Sequence, residues 1–226
     1  LSLQHVFNLP KEKTPWFDFT RQFILIYGIA ITMKFLHENS IIHGRLTPSN
    51  ILLDDNYEPQ ISDYHFSIIQ SKLDVSIKKL VDSNLYYYID PYTLKTGKVC
   101  DKSDIYAFAI ITLQILSGTT QIFEENDAEK LLNKIKTESL MPMIPRNFPN
   151  NIKDLLINCL NEDPNDRISF NEICERLDQI IPSLFGIQQD LFNQYKARIN
   201  SSIEENIQKA TINQIEDLDD SDFNFS

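Results

Sequence analysis

Residues 43–50 read His43-Gly44-Arg45-Leu46-Thr47-Pro48-Ser49-Asn50, and a short way on comes Ser62-Asp63-Tyr64-His65. Between them, Ile51 to Leu53 and Pro59 to Ile61 are β-type stretches parted by Asp54-Asp55-Asn56, whose side chains favour turns. The predicted hairpin holds the loop at one end and Asp63 at the other. Upstream, Phe23, Tyr27, Ile31 and Phe35 recur every fourth residue, and Ile24, Ala30 and Leu36 widen the stripe. Trp16 to Glu38 is therefore expected as one long helix buried on several sides. Asp63 to Pro91 is long, polar and weakly periodic, as in a mobile segment. Ile105 to Leu116 predicts an apolar helix, with Ser103 or Asp104 as N-cap and Gly118 as its stop. Asn151 to Leu160 predicts another, and Ser169-Phe170-Asn171-Glu172 reads as a capping box opening a helix to Ile180.

The loop and four further stretches carry a resemblance. Asn50-Ile51-Leu52-Leu53-Asp54 follows the loop directly. Tyr88-Ile89-Asp90-Pro91-Tyr92, Lys102-Ser103-Asp104-Ile105-Tyr106-Ala107-Phe108-Ala109 and Asp163-Pro164-Asn165-Asp166-Arg167-Ile168 come later. Taken in order they resemble the protein kinase catalytic domain: H-R-D-L-x-x-x-N and its N-I-L-L-D continuation, D-F-G, A-P-E, S-D-V-Y-S-F-G and D-P-x-x-R. The resemblance runs from about Ser2 to Ile181, and Asp104-Ile105-Tyr106-Ala107-Phe108 leans toward the tyrosine-kinase-like group. It implies a mainly α fold: a protein-kinase-like large lobe at residues 1–182 with a short β-hairpin and no small lobe. The Gly-rich loop and the V-A-I-K lysine have no counterpart in the 226 residues. No Met opens the chain, which suits a fragment or an incomplete gene model.

Residues 183–226 form a helical and acidic tail. Phe185 to Ala210 has amphipathic helix character, whereas Asp217 to Ser226 is acidic and expected to be disordered. A solvated linker and a partner-binding helix are the two readings of this tail. Net charge is −11, much of it after Glu204, which disfavours nucleic acid and anionic membrane as partners. The longest mostly apolar run, Phe23 to Met33, is too short to span a bilayer, and no signal-peptide pattern opens the chain. Cys100, Cys159 and Cys174 have neither paired nor metal-type spacing, so they read as small buried side chains in a reducing cytoplasm.

The resemblance also assigns site residues. His43 and Tyr64 belong to an internal stack, and His65 fits poorly where the family keeps a Gly that tolerates positive φ. Arg45 stands at the base position, and a guanidinium stays protonated, so it cannot accept a hydroxyl proton. A solvent-pointing Arg45 without a role is the plain alternative. Thr47 replaces the usual Lys. Asn50 and Asp63 occupy the two metal-binding positions and suit Mg²⁺ alongside ATP phosphates, or else survive as structural residues. Gly44 replaces the arginine that clamps a phosphorylated activation segment, leaving Ser67, Ser71, Ser76 and Ser83 without a local clamp. Lys72, Lys78 and Lys79 read as a solvated face. Leu85 falls where serine/threonine kinases keep a Thr near the catalytic loop. Asp104 is expected to accept backbone N–H groups of the loop.

Two pairings follow. Arg45 is expected beside Asp63, its guanidinium standing in for the metal charge. Arg167 loses the A-P-E glutamate to Tyr92, and either the Tyr92 ring or Asp90 must replace it, with Tyr92 favoured. The leading function is an inactive, pseudokinase-like interaction or regulatory module with an unidentified protein partner and no cofactor, ATP and Mg²⁺ being implied by the family alone. An ATP-dependent serine/threonine kinase and a structural helical remnant are the alternatives.

Overall fold

The computed structural model describes residues 1–63 and 85–221, with backbone alone for 206–221. Tyr64, His65, the four serines and the three lysines of the activation segment lie outside the described residues. The chain divides into two compact units, Leu1–Ile187 and one beginning at Gln188.

The first unit is built around two helices that are apolar on every face. Helix α1 (Leu3–Phe7) is followed by α2 (Phe19–Glu38), then the hairpin β1 (Ile51–Leu53) and β2 (Pro59–Ile61). After the undescribed segment come α3 (Pro91–Thr96), α4 (Asp101–Ser117), α5 (Ala128–Glu138), α6 (Asn150–Cys159) and α7 (Phe170–Ile180). In α2, residues 23–27 together with Ile29, Ala30 and Met33 are buried, and in α4 so is every residue from Ser103 to Ile115. A helix without a polar face must lie inside the protein, and these two pack on each other. α2 also meets α7 and β2, while α4 meets α6 and the 3₁₀ turn Leu85–Tyr88. By length and apolarity α2 is long enough to cross a membrane, which the shorter run Phe23–Met33 did not suggest, but most of it is buried inside the protein.

Caps set the helix ends. Asp18 accepts the Arg21 N–H at 2.8 Å, so α2 begins at Phe19 rather than Trp16. Trp16 instead stacks on Tyr57 of the hairpin turn at 3.9 Å between ring centroids and 11° between planes. α4 begins at Asp101, four residues before the expected start, because Ser103 Oγ accepts the Cys100 N–H at 3.2 Å and caps from within the helix. Gly118 ends it at φ 66° as a left-handed cap. The Ser169–Glu172 capping box forms in both directions, Ser169 N–H to Glu172 Oε2 at 2.8 Å and Glu172 N–H to Ser169 Oγ at 3.2 Å.

The hairpin is antiparallel, with Ile51 opposite Ile61, Leu52 opposite Gln60 and Leu53 opposite Pro59. Asp54 Oδ1 accepts the Asn56 and Glu58 N–H groups, each at 2.8 Å, and so closes the turn. Cys159 and Cys174 are buried, and burial pushes both thiols up to about 12. The second unit is one helix, α8 (Gln189–Ser221). No Gly or Pro interrupts residues 189–221.

Truncating the core should show how far the two apolar helices dominate. Phe108, fully buried on α4 and packed edge-on against Phe170 at 5.5 Å, should lose about 3–5 kcal/mol as Phe108→Ala, read from the urea midpoint.

Candidate functional site

The loop of residues 43–50 hangs from a buried carboxylate. Asp104 sits in the first turn of α4 and is 1% exposed. Its Oδ2 accepts the His43 N–H at 2.8 Å and its Oδ1 the Gly44 N–H at 2.8 Å. His37 Nε2, from the last turn of α2, lies 2.9 Å from the same Oδ2. Gly44 turns the chain at φ 71°, a conformation that a side chain would strain.

His43 is buried and its ring is used on both sides. Nδ1 accepts the Arg45 N–H at 3.2 Å, so in the neutral ring Nε2 is the donor, to the Ser62 carbonyl at 3.0 Å. Burial pushes the imidazole below its usual value, against the opposing pull of Asp104 and the Ser62 carbonyl. His43 thus joins the loop to the end of β2 as an uncharged strut. Asn50 closes the loop from within: its Nδ2 donates to the Arg45 carbonyl at 2.9 Å, and its own carbonyl accepts the Ser62 N–H at 2.9 Å. Leu46, Thr47 and Pro48 are buried beneath.

Arg45 and Asp63 are both exposed, and no ion pair within 4.0 Å joins them. The expected pairing is therefore corrected. Two solvated charges gain little by contact and lose side-chain freedom, so each stays in water. Asp63 has φ 65°, an uncommon backbone for a residue with a side chain. Asn50 and Asp63 provide an amide oxygen and a carboxylate, a donor set that suits Mg²⁺ arriving with nucleotide phosphates. Among the described residues no group of three or more His, Cys, Asp or Glu gathers to hold a metal by itself.

The second constellation anchors the far end of the activation segment. Arg167 is 2% exposed, and each of its three guanidinium nitrogens has a hydrogen-bond partner. Nε donates to the Asn161 carbonyl at 2.8 Å, Nη1 to the Lys102 carbonyl at 2.8 Å, and Nη2 to the Glu162 carbonyl at 3.2 Å. Nη2 also meets Asp90 Oδ1 at 3.2 Å, with both side chains fully buried. Lys102 Nζ returns a bond to the Arg167 carbonyl at 2.7 Å. The aromatic face under the guanidinium is Tyr106, at 5.5 Å, not Tyr92.

Asp90 thus replaces the lost glutamate, and the preference for Tyr92 is corrected. The reason is helical. Pro91 opens α3 instead of continuing an extended segment, and successive side chains then turn by about 100°. Tyr92 is carried to a half-buried flank. Asp90 becomes the N-cap: its Oδ1 accepts the Thr93 N–H at 3.3 Å and also meets Arg167, while its Oδ2 accepts the Thr93 hydroxyl at 2.5 Å. Beside it, the 3₁₀ turn Leu85–Tyr88 buries Tyr86 and ties Tyr88 O–H to Gln114 Oε1 at 3.0 Å. Leu85, at the position of the family Thr, opens this turn half-buried. Sequence reasoning missed His37, Lys102 and Thr93. Thr93, three residues after Asp90 and two after Pro91, was the one legible signal.

A cleft of about 380 Å³ lies elsewhere, between α1, Lys11, Phe17 and the end of α4 at Leu116–Thr120, and shares no residue with the loop.

Comparison with known proteins gives the family context. A family model described as protein tyrosine and serine/threonine kinase matches residues 8–177. Cysteine-rich receptor-like protein kinase 11 of Arabidopsis thaliana is 32% identical over 181 residues, covering 71% of this chain and 27% of that protein. Probable serine/threonine-protein kinase kinX of Dictyostelium discoideum is 30% identical over 184 residues, 80% of this chain and 16% of that one. The chain therefore spans about a quarter or less of these relatives. Among solved structures, the cryo-EM structure of the AtMLKL3 tetramer superposes with a TM-score of 0.62 at 26% identity, covering 80% of this chain and 32% of that one.

Asp90→Ala should cost about 3–5 kcal/mol in urea denaturation, because it leaves a buried guanidinium unpaired. Tyr92→Phe should stay within about 0.5 kcal/mol. His43 makes the fold acid-sensitive. Its folded value lies below the unfolded 6.5, so the unfolded chain binds the proton first. His43's contribution is present above pH 6.5 and is lost as pH falls below it. The urea midpoint should drop between neutral pH and the mildly acidic range, and His43→Phe should flatten that slope.

Proposed function

The chain belongs to the protein tyrosine and serine/threonine kinase family, and we propose that within it this chain is a pseudokinase-like interaction or regulatory module of the tyrosine-kinase-like group. One observation carries the reading. Arg45 stands at the base position, exposed, on a loop whose supporting bonds are all made. The base of phosphoryl transfer must accept the proton of the substrate hydroxyl. A guanidinium has no lone pair to do so, and no carboxylate belongs to the loop of residues 43–50. The frame that positions a catalytic group is kept and the group itself is replaced.

Asn50 and Asp63 are the residues that would hold Mg²⁺. Bound there with a nucleotide, the ion would neutralise phosphate charge. What the chain's own residues do is separate from this: Asp104 and His43 fix the loop, Asn50 closes it, and Asp90 with Arg167 anchors the helix after the activation segment. These are binding-scaffold tasks, and they suit a module that engages a protein partner in the cytoplasm. The second reading, an active serine/threonine kinase, is favoured by the names of the relatives, several of which are called serine/threonine-protein kinases.

Incubation with labelled ATP, Mg²⁺ or Mn²⁺ and generic protein substrates should give incorporation no higher than that of an Asp63→Ala control. Clear incorporation that disappears with Asp63→Ala would sink the inactive reading in favour of the kinase.

A further inference from the structure

We propose that the loop of residues 43–50 binds a phosphorylated serine or threonine of a protein partner through Arg45, an inference that rests on the interaction-module reading. At this position an active kinase presents a carboxylate, which accepts a hydrogen bond from the hydroxyl of a bound protein substrate. Arginine inverts the offer. It presents a planar fork of N–H donors and a fixed positive charge, the geometry that pairs bidentately with phosphate oxygens. The place that addressed a hydroxyl on a protein chain now addresses that hydroxyl's phosphate ester.

Three features of the loop make Arg45 a presented group rather than a stray one. Of residues 43–50 only Arg45 and Ser49 are exposed, so the loop offers solvent one guanidinium and one hydroxyl. The Arg45 backbone is held at both ends, its N–H on His43 Nδ1 and its carbonyl on Asn50 Nδ2, while the two preceding N–H groups sit on Asp104. The side chain itself enters no hydrogen bond or ion pair among the described residues, Asp63 included. A charge fixed at its root, with no bond at its tip among the described residues, loses little backbone freedom on binding.

The surroundings narrow the ligand. His43 is held neutral by burial and supplies no second cation, and Thr47 is buried where the family keeps a lysine. Within residues 43–50 Arg45 is the one fixed cation, and one guanidinium fork matches a single phosphate monoester. A net charge of −11 repels anionic membrane surfaces and favours a phosphate flanked by lysine or arginine on a peptide.

The test uses this chain and a short Ala/Lys peptide carrying one phosphoserine, with its unphosphorylated form and inorganic phosphate as comparators. The Arg45 Nε–Hε resonance should shift saturably with the phosphopeptide. Affinity should exceed that of the serine peptide roughly tenfold or more, the scale of one charge-assisted bond, and should fall as salt rises. Arg45→Gln should remove this preference while keeping the wild-type melting temperature, since the side chain is exposed and unbonded among the described residues. Equal binding of the two peptides, or a preference that survives Arg45→Gln, would overturn the proposal. So would inorganic phosphate matching the phosphopeptide, which marks an adventitious ion only. Labelled-ATP incorporation measured on the same sample separates the failures: incorporation removes the inactive reading, whereas no incorporation and no phosphopeptide preference removes this inference alone.

Discussion

The whole arrangement depends on one buried carboxylate. Asp104 accepts two consecutive backbone N–H groups of the loop and a third contact from His37, joining α2, α4 and residues 43–44 at one point. A carboxylate this deep needs several donors to offset the loss of water. It finds them in backbone groups that would otherwise be buried and unpaired. Loop and helix therefore solve each other's desolvation problem. His43 then passes the constraint on through its ring to the carbonyl that precedes Asp63.

Arg167 shows how such a frame can survive the loss of a partner. Moving the acid from after Pro91 to before it would destroy the ion pair if the chain stayed extended. Because Pro91 begins a helix, the residue before it is an N-cap, and an N-cap side chain points back across the helix start. Asp90 does two jobs with one carboxylate, capping α3 and neutralising Arg167. The pair is fully dry, so its worth lies in where it holds the chain more than in net stability.

Much of this was legible in the sequence where one residue type has one physical solution. Gly118 as a left-handed helix stop, the Ser169–Glu172 box and the hairpin of residues 51–53 and 59–61 are local, and local chemistry decided them. Asp104 was legible through the resemblance, which implies a carboxylate there accepting loop N–H groups. Two misreadings share a cause, since both required knowing backbone conformation around a residue. The α4 start was misplaced because Ser103 caps from inside the helix. Tyr92 was preferred because residues 90–92 were taken as extended. The Arg45–Asp63 pair was expected from proximity along a hairpin, whereas solvent exposure decides whether two charges meet. His37 gave no signal at all, since its partner is 67 positions away.

The stack of Trp16 on Tyr57 has an optical consequence. The chain contains a single tryptophan, and it lies flat on the turn of the hairpin whose other end carries the loop and Asp63. Arg21 Nη1, donating to the Asn56 carbonyl at 3.0 Å, clasps the same turn from α2. Intrinsic fluorescence excited at the indole band therefore has one source, and that source touches the hairpin instead of the core. Its emission and anisotropy follow the seating of the turn on α2 with no added dye. Unfastening of the hairpin becomes a spectroscopic event that can be resolved from the melting of α2 and α4, which carry no indole.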